Sequence, residues 1–168
     1  MNLYIRKCRP DELPAALGLL YQAAVWLRDK NIDYWQNWLD PPASHVDWIR
    51  QGFERGEFHF VYNGEHALVG MYRLQYVDEM FWGKRNDRAG YIHSFTTNRE
   101  LRGNGIGYFI LNAIEKELSR DGYAFLRLDC SPDIEGLCKY YEGYGFRPKG
   151  TILLHGEKLR LYEKELHT

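Results

Sequence analysis

Arg102-Gly103-Asn104-Gly105-Ile106-Gly107 is the stretch whose residue types and spacing point most directly to chemistry. A chain that turns through glycines into a helix leaves the first helical N–H groups without internal acceptors and lets a ligand approach the main chain. Those N–H groups and the positive end of the helix dipole attract an anion, phosphate above all. Upstream, Tyr91 to Thr97 is rich in aromatic and β-branched residues and reads as a buried strand. Downstream, Ile106, Phe109, Ile110, Ala113, Ile114 and Leu118 recur at helical spacing. The stretch from Ala89 to Tyr123 therefore predicts strand, glycine loop and amphipathic helix, with a phosphate-bearing ligand at the helix head.

Other glycine loops fit this stretch less well. A dinucleotide fingerprint needs G-x-G-x-x-G, and a P-loop needs Gly-Lys followed by Ser or Thr; neither is present. A plain strand-to-helix turn would account for the loop by itself. A second region bears on that choice: Phe125 to Phe146, which closes with Tyr140-Tyr141-Glu142-Gly143-Tyr144-Gly145-Phe146. Arg102-x-x-Gly105-x-Gly107 between strand and helix resembles the acyl-CoA-binding motif of the GNAT family of N-acetyltransferases. Phe125 to Phe146 is similar to that family's later strand, helix and aromatic-Tyr-x-x-x-Gly-Phe signature, in the same order and at the same separation.

The resemblance implies a GNAT-like fold: an α/β chain with a central mixed, mostly antiparallel sheet and helices on both faces. It implies transfer of an acetyl group from acetyl-CoA to a primary amine, by direct attack in a ternary complex. By motif position, main-chain groups of Phe95, Thr96 and Thr97 would run along the pantetheine arm, where a bulge splays the strand from its neighbour. The diphosphate would lie on the N–H groups of Gly103, Asn104, Gly105, Ile106, Gly107 and Tyr108, with Arg102 adding charge. Tyr141 matches the tyrosine that many relatives use as an acid toward the leaving sulfur. A phenol is protonated at neutral pH and can donate; a core aromatic is the other account of it, and Tyr140 is the fallback. Relatives commonly carry Asn seven residues before that tyrosine, but this chain has Ile134 there, which leaves the main-chain contacts as the cofactor sites. An acyl-CoA cleft without catalysis, in a sensor or interaction module, is the alternative function.

The base is sought on the same strand. His93 lies two residues before Phe95, titrates near neutrality and is expected to share a strand face with Tyr91 and Phe95. A satisfied core histidine would look the same in sequence. Asp78 and Glu79 could serve instead, or attract a cationic amine. Trp26, Trp35, Trp38 and Trp48 fall where this family builds its acceptor pocket, although tryptophans packing helices against a sheet would show the same pattern.

At 168 residues the chain predicts one domain over 1–168 with a substantial core. Its net charge of −1 offers no global field for nucleic acid or an anionic membrane. No stretch approaches a membrane span, and MNLYIRKCRPDEL lacks a signal-peptide core. Cys8, Cys130 and Cys138 have no metal spacing, so no metal is expected and a reducing, cytoplasmic compartment is the default. The expected partner is a small-molecule or peptide amine, for a monomer or homodimer.

The remaining elements are read from pattern. Leu3 to Cys8 alternates as a strand, and Asp11 is read as the cap of a helix reaching about Lys30. Ser44 and Asp47 suggest a capping box for a second helix ending near Gly56. Glu57–Tyr62 and Ala67–Val77 read as strands across Asn63-Gly64. Asp78 to Arg88 reads as a charged turn. Phe125 to Cys130 is a strand with Leu126, Leu128 and Cys130 on one face, and Glu135 to Tyr144 is a short helix stopped by Gly145. Two last strands are expected at Thr151–His155 and Lys158–Leu166.

Overall fold

The protein is described by a computed structural model covering residues 2–167. Strands β1 (Leu3–Lys7), β2 (Phe58–Asn63), β3 (Leu68–Gln75), β4 (Ala89–Thr97), β5 (Phe125–Cys130), β6 (Arg147–Leu154) and β7 (Glu157–Glu165) form one seven-stranded sheet in the order β1-β2-β3-β4-β5-β7-β6. The helices are α1 (Leu13–Asp29), α2 (Ala43–Glu54), α3 (Glu79–Trp82), α4 (Ile106–Arg120) and α5 (Glu135–Tyr144). The β4–β5 ladder is parallel, while β1–β2, β2–β3, β5–β7 and β6–β7 are antiparallel, so the sheet is mixed as expected. Among the described residues no helix is long and apolar enough to cross a membrane.

The chain divides into two compact units, and β3, β4 and α4 each run through the boundary. The first comprises Met1–Arg73 and Ser94–Ile110. Its core joins Ala16, Leu19 and Leu20 of α1, Ile49 and Phe53 of α2, and Phe58, Phe60 and Met71 of the strands. Trp35, Trp38 and Trp48 pack against this cluster, so these three tryptophans fasten helices and loop to the sheet. Burial of each apolar side chain contributes about 1.5–3 kcal/mol, which is what holds the amphipathic helices on the sheet.

The second unit comprises Leu74–His93 and Leu111–Thr168. Here β5 is buried on both sides. Leu126, Leu128 and Cys130 occupy one face as expected, while the other carries Arg127, itself 1% exposed. Arg127 donates to Asp87 at 2.8 and 2.7 Å, to Glu163 at 2.8 Å and to the Tyr91 hydroxyl at 2.9 Å. A guanidinium fork with every arm occupied is how a cation is tolerated at that depth.

Several boundaries differ from the sequence reading, each for a local reason. The first helix is preceded by a 3₁₀ turn at Pro10–Glu12, and the Glu12 carboxylate, rather than Asp11, turns back to accept from the Arg9 amide at 2.7 Å. Ser44 lies inside α2, whose N-cap is Pro42, and Asp47 pairs with Arg50, so the expected capping box does not form. Within 78–88 a short helix, α3, takes the place of an uninterrupted turn. The last hairpin is longer than read: β6 starts at Arg147, passes a register shift between Pro148 and Gly150, and occupies the sheet edge, where proline is tolerated.

Candidate active site

The glycine loop belongs to the first unit. After β4 the chain makes a 3₁₀ turn at Arg99–Leu101, and the Asn98 side chain accepts from the Glu100 amide at 3.0 Å. Gly103 and Gly105 then adopt φ of +84° and +74°, the left-handed region in which other residues are strained. The bond from Phe109 N to Gly105 O, 2.9 Å, lies at the start of α4, so the amides just before Phe109 belong to the first turn, which has no intrahelical acceptors. A Cβ built on Gly103 or Gly105 meets nothing within 4 Å, and the Asn104 side chain is folded back onto Leu101 O at 2.9 Å. The loop is therefore open above these glycines.

Cations gather beside it. The Arg99 and Arg102 guanidinium carbons lie 5.0 and 5.9 Å from the centre of the Trp26 ring, and Lys30 Nζ lies 5.8 Å from it. Arg102 is exposed and has no carboxylate within salt-bridge distance among the described residues. Trp26 thus serves as a platform for positive charge rather than as part of the core cluster. On β4, Phe95 and Thr97 are half-buried; Thr96 is 2% exposed, and its Oγ1 makes no hydrogen bond among the described residues. Open amides, cations and an orphaned hydroxyl fit a ligand carrying a diphosphate and an amide-bearing arm.

His93 and Tyr141 belong to the second unit. The β4–β5 ladder pairs Ala89 with Phe125, Gly90 with Leu126 and Tyr91 with Arg127. Side chains alternate along both strands, so one step further the same register sets His93 beside Asp129. His93 Nδ1 is 3.9 Å from Asp129 Oδ1, and Nε2 is 2.7 Å from Asp78 Oδ2. Side-chain exposure is 9% for His93, 6% for Asp78 and 11% for Asp129, so the cluster is nearly dry. Burial above all pushes the Asp129 carboxyl up to about 6; His93 pulls it down, and Asp78 adds to the rise. The three side chains do not form a metal-holding group.

Asp78 stands at the N-cap of α3, yet its side chain makes no capping bond. Phe81 of α3 covers the imidazole with ring centres 4.7 Å apart, while Trp82 covers Tyr91 at 6.1 Å. Of the two acids considered from sequence, Asp78 reaches His93 and Glu79 is exposed. Just past His93, Ser94 has φ of +51°, a left-handed residue within a strand.

Tyr141 is 6% exposed on α5, with ring centres 5.8 Å from Phe146 and 6.2 Å from Tyr162; Tyr140, at 36%, is the exposed member of the pair. Ile134 is the N-cap of α5 and gives its carbonyl to the Leu137 and Cys138 amides, both at 3.1 Å. The Cys130 and Cys138 sulfurs lie 3.8 Å apart in the interior, and burial holds the Cys130 thiol well above its ordinary range. Cys130 is therefore a thiol and unsuited to act as a nucleophile. Asp129 is the residue that sequence reasoning missed; its place beside His93 depends on the pairing of β4 with β5, which neither segment shows by itself.

A sequence profile of the acetyltransferase (GNAT) family matches residues 20–146. The chain is 26% identical over 161 residues to YesJ of Bacillus subtilis, described as an uncharacterized N-acetyltransferase, covering 93% of this chain and 86% of that protein. Among solved structures, a GNAT-family acetyltransferase from Listeria monocytogenes is 27% identical and superposes with a TM-score of 0.79, over 98% of this chain and 95% of that one. The PaiA N-acetyltransferase of Thermoplasma acidophilum, solved in complex with coenzyme A, shares the fold at 16% identity and a TM-score of 0.66, over 98% and 99% of the two chains. The chain belongs to the GNAT family of acetyltransferases, enzymes whose co-substrate is acetyl-CoA.

Proposed function

We propose that this chain moves an acetyl group from acetyl-CoA to a primary amine, on a small molecule or a peptide, by direct attack in a ternary complex. The cofactor supplies an activated acyl thioester. The amides from Gly103 to Tyr108 would hold its diphosphate, with charge from Arg102, and the main chain of Phe95, Thr96 and Thr97 would steady its pantetheine arm. The observation that carries this reading is the loop itself, open above Gly103 and Gly105 and flanked by Arg99, Arg102 and Lys30 on Trp26. The coenzyme A complex of the PaiA enzyme, which shares the fold, supports it.

An amine must be neutral to attack, and an imidazole accepts protons near neutral pH. His93, held by Asp78, acts as that base. Tyr141 Oη donates a proton to the departing sulfur. The three free cysteines support a reducing, cytoplasmic setting.

Thiol release from acetyl-CoA over a panel of primary amines tests the reading. Tyr141→Phe is expected to lower kcat by about 100-fold while leaving the KM for acetyl-CoA near its starting value. A parallel loss in cofactor affinity would remove the acid role. Calorimetric binding of coenzyme A without transfer to any amine would make the chain a binding module.

A further inference from the structure

Lys30, Arg99 and Arg102 come from two separate stretches of the chain and meet on one indole. Trp26 lies in α1, and Lys30 is the C-cap of that helix; Arg99 and Arg102 belong to the turn that leads into the glycine loop. The two guanidinium carbons stand 5.0 and 5.9 Å from the centre of the Trp26 ring, and Lys30 Nζ stands 5.8 Å from it. Three positive charges around one ring lie within about 12 Å of one another, close to the Debye length of about 10 Å at about 0.1 M salt, so they repel. The ring offsets that repulsion only in part, because its face carries no net charge.

Lys30 and Arg102 are exposed, and neither has a carboxylate within 4.0 Å among the described residues. Exposed arginines elsewhere, such as Arg9, Arg50 and Arg120, rest on a carboxylate. The cluster by Trp26 therefore suits an anion that the chain itself does not supply. Arg102 joins it directly to Gly103, and cluster and loop belong to the same compact unit. The anion would then be part of the ligand whose diphosphate lies on the loop amides.

Coenzyme A carries a third phosphate, a monoester on its ribose 3′ oxygen, with a charge of about −1.5 to −2 at pH 7. Neutral loop amides suit the diphosphate, whereas a dianionic monoester gains most from full cations that donate charge-assisted hydrogen bonds. Building on the acetyl-CoA reading above, we infer that Lys30 and Arg102, gathered on Trp26 with Arg99, receive this 3′-phosphate. They make the chain select coenzyme A over 3′-dephospho-coenzyme A. Trp26 is a positioning residue: its ring gathers long side chains whose ordering would otherwise cost entropy on binding. Lys30 also stands at the negative end of α1, where a lysine suits the helix dipole. That role does not distinguish one cofactor from the other.

Calorimetry on the full chain, with coenzyme A and 3′-dephospho-coenzyme A as probes, tests this without turnover. The native protein is expected to bind coenzyme A about tenfold or more tightly than the dephospho compound, the effect of a hydrogen bond between charged groups. Lys30→Gln, at an exposed side chain, should weaken coenzyme A about tenfold and leave the Kd of 3′-dephospho-coenzyme A unchanged. Lys30→Arg, which keeps the charge, should restore most of the difference. Added salt should erode the affinity for coenzyme A faster than that for the dephospho compound. Equal affinities in the native protein would overturn the assignment, as would a Lys30→Gln variant that keeps the native ratio or weakens both ligands alike. Binding of both compounds without preference sinks the 3′-phosphate site alone and leaves the acetyl-CoA reading standing. Binding of neither sinks both.

Discussion

Replacing Arg127 by methionine keeps much of the side chain's length and removes the cation at the centre of a buried rung. Arg127 is 1% exposed and donates to Asp87, Glu163 and Tyr91. It also lies on the Phe125 ring at 4.8 Å and the Trp82 ring at 5.1 Å. Removing one partner of a buried ion pair costs about 3–5 kcal/mol, because the charges left behind lose their compensation. Two features favour the lower end. Asp87 is 34% exposed and can recover water, and Glu163 keeps Lys149 at 3.7 Å. A loss of about 3 kcal/mol, at roughly 2–4 °C per kcal/mol for a chain of this size, predicts a Tm lower by about 6–12 °C in scanning calorimetry at pH 7. The pH dependence follows from Asp87. The hydrogen bond from Arg127 holds its carboxyl below the usual range, so its contribution is present above the unfolded carboxylate pKa and fades as pH falls through the lower folded value. The gap between native and variant should therefore narrow below about pH 4. A loss under about 1 kcal/mol at pH 7, or a gap that stays constant into acid, would refute the argument that mutually compensating charges hold this rung.

Three other perturbations have defined outcomes. Gly105→Ala puts a side chain into open space at φ of +74°, so the expected cost is about 1 kcal/mol of backbone strain; the KM for acetyl-CoA should rise severalfold, and an unchanged KM would detach the loop from cofactor binding. Gly90→Ala would place a Cβ 2.6 Å from Leu118 Cδ1 and 3.3 Å from Leu74 Cδ1, an overpacking worth about 1–3 kcal/mol in urea denaturation, eased by adding Leu118→Val. The Glu12 carboxyl is held down to about 2, chiefly by its hydrogen bonds to Arg6. That contribution is present above the unfolded value and is lost as pH falls toward 2. Glu12→Gln should cost about 1 kcal/mol at pH 7 and almost nothing at pH 2, as read by chemical denaturation at both pH values.

Features governed by neighbouring residues were legible in sequence. The glycine loop, the helix from Glu135 to Tyr144 and the strand from Phe125 to Cys130 lie where local pattern places them. The misreadings arise where something beyond the local pattern decides. Ser44 resembled a cap, but Pro42 lies two residues earlier and begins the helix. Residues 79–82 form too short a helix to show any period. Arg147–Leu154 is mostly exposed edge strand, so its first half carries no apolar alternation. The partnership of His93 with Asp129 depends on strand register, which relates residues 36 apart in the chain and leaves no trace in either segment alone.

The carboxylate of Asp78 has one further consequence. It occupies the position from which such a group would ordinarily secure the start of a helix, but it is committed to the imidazole. The brief segment carrying Phe81 and Trp82 is therefore anchored to the sheet through the same atom pair that would orient the base. Deleting the histidine side chain would loosen this cover along with removing a proton acceptor. His93→Gln, which can still donate to Asp78, separates architecture from reactivity in a way that His93→Ala cannot.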